Sequence, residues 1–230
     1  IAYVAYDSGA TRPTLHLRSL DQFTTISFPG SEGATRPFFS PDGLWIGFAT
    51  GRGTLEKVSA SGGPVSPLAT NVDLGSTPSW GDNHFIVFTV NGFPTQVGDG
   101  GGAATMLRDS TKGRGVAPAF LPTGRAVLLS MCRGAEAIAC DRDLSVLDLA
   151  SGTAKVLVPG ATRGWYLPSG HLIYGTKEGA LFAAKFDLKE LAVTSAPVAM
   201  LDGIQTSTGQ LLKATFSASG SMAYLPGEAG

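Results

Sequence analysis

The sequence predicts an all-β fold, a β-propeller of four-stranded antiparallel blades, and three observations carry that prediction. A turn-and-strand unit recurs five times at a spacing close to the length of one blade. Apolar runs that alternate or stay buried follow each repeat turn. Glycine and proline, 31 and 14 of 230 residues, interrupt nearly every window long enough for a helix.

The repeat units are PFFSPDG at Pro37 to Gly43, PSWGDN at Pro78 to Asn83, PAFLPTG at Pro118 to Gly124, GWYLPSG at Gly164 to Gly170 and ATFSASG at Ala214 to Gly220. Stacked, they align Phe39, Trp80, Phe120, Tyr166 and Phe216 in one column, separated by 41, 40, 46 and 50 residues. Four short strands and their turns need about 40–50 residues, the period of a propeller blade. With strands labelled a to d from the innermost outwards, the column sits on strand a. It is expected to wedge between neighbouring blades as core.

Taken in order, residues 1 to 29 supply strands b, c and d of a first blade, with a turn at Leu20 to Gln22. Strand b of the following blades falls at Leu44 to Phe48, Phe85 to Val90, Ala126 to Leu129 and Leu172 to Tyr174. The c-to-d turns fall at Val58 to Gly63, Val97 to Gly101 and Leu149 to Gly152, where Gly and Asx residues suit tight hairpins. Residues 214 to 226 give only strands a and b, with b at Met222 to Leu225, for 21 strands in all. Register therefore predicts six blades, the first and last incomplete. A five-bladed ring is the alternative, with the terminal strand a completing the first blade and Met222 to Leu225 left over. Leu181, Ala184, Leu188 and Leu191 recur at helical spacing, but repeat register makes Leu181 to Phe186 strand c and Val198 to Leu201 strand d. The connection Asp187 to Thr194 has room for a single helical turn.

Composition bounds the partners. Of the residues 43% are apolar, enough for a core, and 17 basic against 18 acidic side chains give a net charge of -1. That leaves no field for gathering polyanions, so nucleic acid is not an expected partner. The longest apolar runs fall far short of the roughly 18 residues of a membrane span. With Ile1 first and no leader pattern behind it, residues 1–230 read as a single propeller domain cut from a longer chain.

At Phe38 to Phe48 (FFSPDGLWIGF) and Leu55 to Val65 (LEKVSASGGPV) the chain resembles the TolB-like, WD40-like (PD40) β-propellers. Tyr166 to Tyr174 and Leu181 to Leu188 look like segments of the propeller that follows the kinase domain and membrane span in many bacterial serine/threonine protein kinases. That resemblance implies an extracytoplasmic sensor or docking domain and carries over no catalytic residue. No Gly-rich loop with a following Val-Ala-x-Lys, no His-Arg-Asp and no Asp-Phe-Gly occurs, so phosphoryl transfer is not expected in this segment. Two departures stand out. Gly81 to Asn83 reads as a turn one residue short, and Gln96 to Gly102 lacks the apolar residues expected of strand c, which suggests a frayed third blade.

Little in the sequence points to chemistry. His16, His84 and His171 are scattered over three blades without zinc-ligand spacing, and there is no G-x-S-x-G elbow. The glycines at 98, 100, 101 and 102 lack the Lys and helix of a phosphate loop. No cofactor, metal or catalytic residue is implied. Cys132 and Cys140 bracket the b-to-c connection of blade four, where antiparallel neighbours can meet disulfide geometry. A bridge is expected, with two free thiols as the other reading. Three residues before the column aromatics stand Arg36, Thr77, Ala117, Arg163 and Lys213, where the chain enters strand a at the mouth of the central channel. Three of the five are cationic. Arg36, Thr77, Arg163 and Lys213 are thus the candidate binding residues, for a protein or small acidic ligand. The rival function is the substrate-gating propeller of a prolyl-oligopeptidase-like peptidase.

Overall fold

A computed structural model describes residues 1–107, 114–133, 140–207, 210–217 and 219–227. The chain forms two compact units, Ile1–Arg108 and Asp109–Gly230.

The first unit holds three sheets. β1 (Ala2–Ala5), β2 (Thr14–Arg18) and β3 (Thr25–Ser27) form the first. β4 (Ala34–Phe39), β5 (Trp45–Thr50), β6 (Leu55–Ser59) and β7 (Ser66–Ala69) form the second. β8 (Ser79–Trp80), β9 (Phe85–Val90), β10 (Phe93–Gly98) and β11 (Thr105–Met106) form the third. In the second unit, β12 (Gly115–Phe120), β13 (Ala126–Cys132), β14 (Arg142–Asp148) and β15 (Ala154–Pro159) make a four-stranded sheet. β16 (Ala161–Leu167), β17 (His171–Thr176), β18 (Leu181–Asp187) and β20 (Val198–Leu201) make the next, and β19 (Ala192–Val193) pairs with the far end of β18. β21 (Ala214–Phe216) and β22 (Met222–Tyr224) close the series. Every pairing is antiparallel between chain neighbours, apart from the β18–β20 pair that brackets β19. The fold class is that predicted from sequence.

No helical turn fills the connection after β18; a turn and β19 occupy it, making 22 strands among the described residues where register gave 21. The helical spacing of Leu181 and Ala184 arises because β18 buries both faces. Ala184 and Phe186 pack with Leu128 and Leu172, whereas Leu181 packs with Ile173 and Leu212. β5 is two-sided in the same way, with Ile46 and Phe48 against Leu15 and Phe28, and Ala49 against Ile86 and Phe88.

The five column aromatics hold equivalent register positions, pairing with Ile46, Ile86, Val127, Leu172 and Met222 on the next strand. They are not the deepest core. Trp80, Phe120, Tyr166 and Phe216 are half-buried and Phe39 is 41% exposed, while Phe48, Ile46, Phe88 and Ile86 on strand b are wholly buried. Phe39 lacks a wedge partner because the sheet beside it begins with a strand-b equivalent, β1, and has no inner strand among the described residues. The wedge operates one residue earlier: Phe38 meets Trp80 at 6.2 Å between centroids, and Trp165 meets Phe216 at 5.2 Å. Leu44, expected in strand b, precedes β5 and is 63% exposed.

Both sequence departures resolve. The second repeat turn, that of the third blade, has full length, because His84 takes the left-handed conformation (φ 63°) that glycine holds at Gly43, Gly170 and Gly220. Strand c of that sheet is Phe93–Gly98, with Val97 buried and all six residues paired to β9, so residues 99 to 102 belong to the turn beyond it. The sheet is short instead at its two edge strands, innermost β8 and outermost β11.

Candidate functional site

Strand a opens with a β-bulge in three sheets, those of β4 and β12 and, between Ala161 and Arg163, that of β16. One extra residue separates the Thr35 and Phe38 pairings, and likewise those of Val116 and Ala119. At both places a residue before proline adopts φ 50°, Arg36 and Ala117. Such bulges re-aim a side chain, and here that position is the one three residues before the column aromatic. In the first unit Arg36 is exposed, and its Nε donates to the carbonyl of Leu74 at 3.3 Å, just ahead of half-buried Thr77. Desolvation pushes the Arg36 pKa below its ordinary value, but a guanidinium stays charged.

In the second unit Ala117 is 6% exposed, so it belongs to the packing rather than to an open edge. Arg163 lies over the Trp165 ring, 4.9 Å from its centroid, and its Nη1 donates to the carbonyl of Leu212 at 3.4 Å. That carbonyl immediately precedes exposed Lys213, whose Nζ donates to Gln205 Oε1 at 3.0 Å. The structure thus brings Arg163 and Lys213 to one sheet junction. Among the described residues, no carboxylate lies within ion-pair distance of Arg36 or Lys213.

The second unit also carries a polar cleft of about 330 Å³, walled by the b-to-c connections of two sheets and by the stretches leading into strand a. Arg133 grips Asp143 through two hydrogen bonds, Nε to Oδ2 at 2.8 Å and Nη2 to Oδ1, and Gly160 N–H donates to the same carboxylate at 2.8 Å. The Arg133 bonds hold the Asp143 carboxyl below the usual carboxylate range. Lys177 pairs with Asp141 at 3.1 Å. Arg142, first residue of β14, lines the cleft as well, is only 6% exposed, and is missed by sequence reasoning, because RDLSVLD reads simply as an inner strand with a polar start.

The histidines serve the scaffold. His16 stacks on Tyr3 and bonds Thr14, His84 bonds Asp99 at 3.0 Å, and His171 bonds Ser169 at 3.1 Å. Among the described residues, no three His, Cys, Asp or Glu side chains gather closely enough to hold a metal ion, and no helix is long and apolar enough to cross a membrane. Cys132, the last residue of β13, is joined to Cys140 in a disulfide with a Cα–Cα distance of 5.5 Å. A loop this short should contribute about 2–3 kcal/mol through the unfolded state. Mass spectrometry of protein purified oxidised should find no alkylatable thiol until reductant is added; two labelled thiols beforehand would remove the bridge.

No protein family and no curated protein matches the sequence. Solved structures do match. TolB from Acinetobacter baumannii superposes with a TM-score of 0.62 at 18% identity, over 80% of this chain and 48% of that one. The fold is a TolB-like β-propeller. A chain of a nidogen/laminin complex gives 0.54 at 16% identity, over 80% of this propeller and 71% of that chain. Oligogalacturonate lyase in complex with manganese gives 0.60 at 13% identity, over 91% and 63%. This propeller thus spans about half the length of the TolB chain.

Proposed function

We propose that this propeller is a non-catalytic recognition module, binding a protein or small acidic ligand through the cations at its strand-a entries and through its b-to-c loops. One observation carries the reading: Arg36 and Arg163 both stand three residues before the column aromatic of their sheets, and each anchors its guanidinium on a backbone carbonyl leading into the next strand a. A guanidinium so held is oriented, and its planar fork of N–H donors suits a carboxylate. The nidogen/laminin neighbour, solved within a complex, supports a protein partner. On the same reading, residues 1–230 form one propeller domain of a longer protein, an extracytoplasmic sensor of a bacterial receptor serine/threonine kinase. The likeness at Tyr166 to Tyr174 and Leu181 to Leu188 supports that parent. A kinase and membrane span in the flanking sequence would agree with it, and an α/β-hydrolase there would replace it with a peptidase gate.

The test is the Arg36→Ala, Arg163→Ala double variant, assayed against partners captured by the isolated propeller. Affinity should fall about tenfold or more, with a shallower salt dependence. Unchanged affinity and an unchanged salt slope would remove this surface from the function.

A further inference from the structure

Arg142 is in an environment a guanidinium rarely tolerates. Its residue is 6% exposed, and Nη1 is sealed from solvent with no hydrogen-bond partner. No carboxylate among the described residues lies within ion-pair distance, and the neighbouring Asp143 and Asp141 pair with Arg133 and Lys177. Burial alone lowers its pKa, with no acid opposing the shift. A buried charge without a counter-ion, one of whose donors is left unmade, costs several kcal/mol. Such cost persists where a ligand offsets it. A water could accept one hydrogen bond from the guanidinium but would leave its charge uncompensated.

The same cleft holds a second orphan of opposite character. Gln210 Oε1 is buried without a donor, on a residue whose backbone takes the left-handed φ of 64°. Glu178 stands on the wall between Lys177 and Gly179, outside ion-pair distance of Arg142. An orphan cation together with an orphan acceptor and a nearby carboxylate is complementary to one kind of guest. That guest offers a carboxylate to Arg142 and an ammonium or other N–H donor towards Gln210 and Glu178. The cleft volume of about 330 Å³ is at the small end of ligand sites. From this we infer that the cleft is a binding site for a small zwitterion of the α-amino-acid type, with Arg142 as its carboxylate anchor. This goes beyond the loop-edge reading above and uses none of its candidate residues.

The experiment is calorimetric titration and thermal denaturation of the intact chain with L-alanine, L-glutamate, acetate and a short acidic peptide blocked at both ends. An amino acid should bind and raise the melting temperature, and acetate should bind at least about tenfold more weakly for want of the donor. Arg142→Met should weaken amino-acid binding at least about tenfold while leaving the ligand-free melting temperature unchanged or raised, as removal of an unpaired buried charge requires. Gln210→Leu should weaken the amino acid more than acetate. The assignment is overturned if no free acid binds, if only the peptide binds, or if Arg142→Met binds as the parent does. It is also overturned if Arg142→Met lowers the ligand-free melting temperature and Glu136→Gln lowers it equally, since the guanidinium would then serve the chain's own acid. Arg36→Ala keeps amino-acid binding whatever it does to a protein partner, so either reading can fail alone.

Discussion

Phe48→Ala should lower the unfolding free energy by about 3–5 kcal/mol, read as a shift of the urea midpoint. Phe48 is wholly buried on β5, in a cluster with Leu15, Phe28, Ala34, Ile46 and Val58 that joins the first sheet to the second. Truncation removes apolar burial from both sheets and leaves a cavity that two hydrogen-bonded ladders cannot collapse around. Against a typical domain stability of about 5–15 kcal/mol, that is a large share. Phe39→Ala is the matched control. Phe39 is the same residue type one strand away, but 41% exposed and outside that cluster, so it should cost roughly 1 kcal/mol or less. Equal losses in the two variants would mean that the core has been assigned to the wrong strand.

That contrast marks what was legible in the sequence. A column of aromatics at blade spacing reveals the period, because each copy needs a bulky residue at the end of strand a. It does not reveal depth, because burial depends on what the adjoining sheet presents. Trp80 meets Phe38, whereas Phe39 faces a sheet that begins with β1. The turns were legible where glycine supplies the positive φ and illegible at His84, which adopts it with Asp99 bonded to its ring. Strand alternation was legible where one face is buried; on β18 burial of both faces mimicked helical spacing. The cations before strand a could be found by aligning repeats. Arg142 could not, since the cleft it lines is completed by Thr162 and Gln210, which are remote from it in the chain.

Gly179→Ala should be at least as damaging as a core truncation, about 3 kcal/mol or more, and for a reason invisible in the chain. Gly179 and Gly170 both close tight turns of the same sheet with φ of 92° and 79°, so alanine at either must adopt a left-handed backbone. That common term costs about 1 kcal/mol. At Gly170 a Cβ would meet nothing within 4 Å, so Gly170→Ala should cost no more than this. At Gly179 it would lie 2.5 Å from the carbonyl oxygen of Ile204, a backbone atom with no rotamer to escape into. The neighbouring bond from Ile204 N–H to the Gly179 carbonyl, 3.1 Å long, holds the two segments at that distance. Relief therefore requires the turn to move off the segment at Ile204, disturbing the packing of buried Ile204 with Leu181 and Leu212. Lys177 and Glu178 would move with it, so amino-acid binding in the cleft should weaken together with stability. Chemical denaturation of the two alanine variants side by side decides the point: similar midpoints would show that Gly179 is there only for its turn, and that the close approach to Ile204 is not a constraint on the fold.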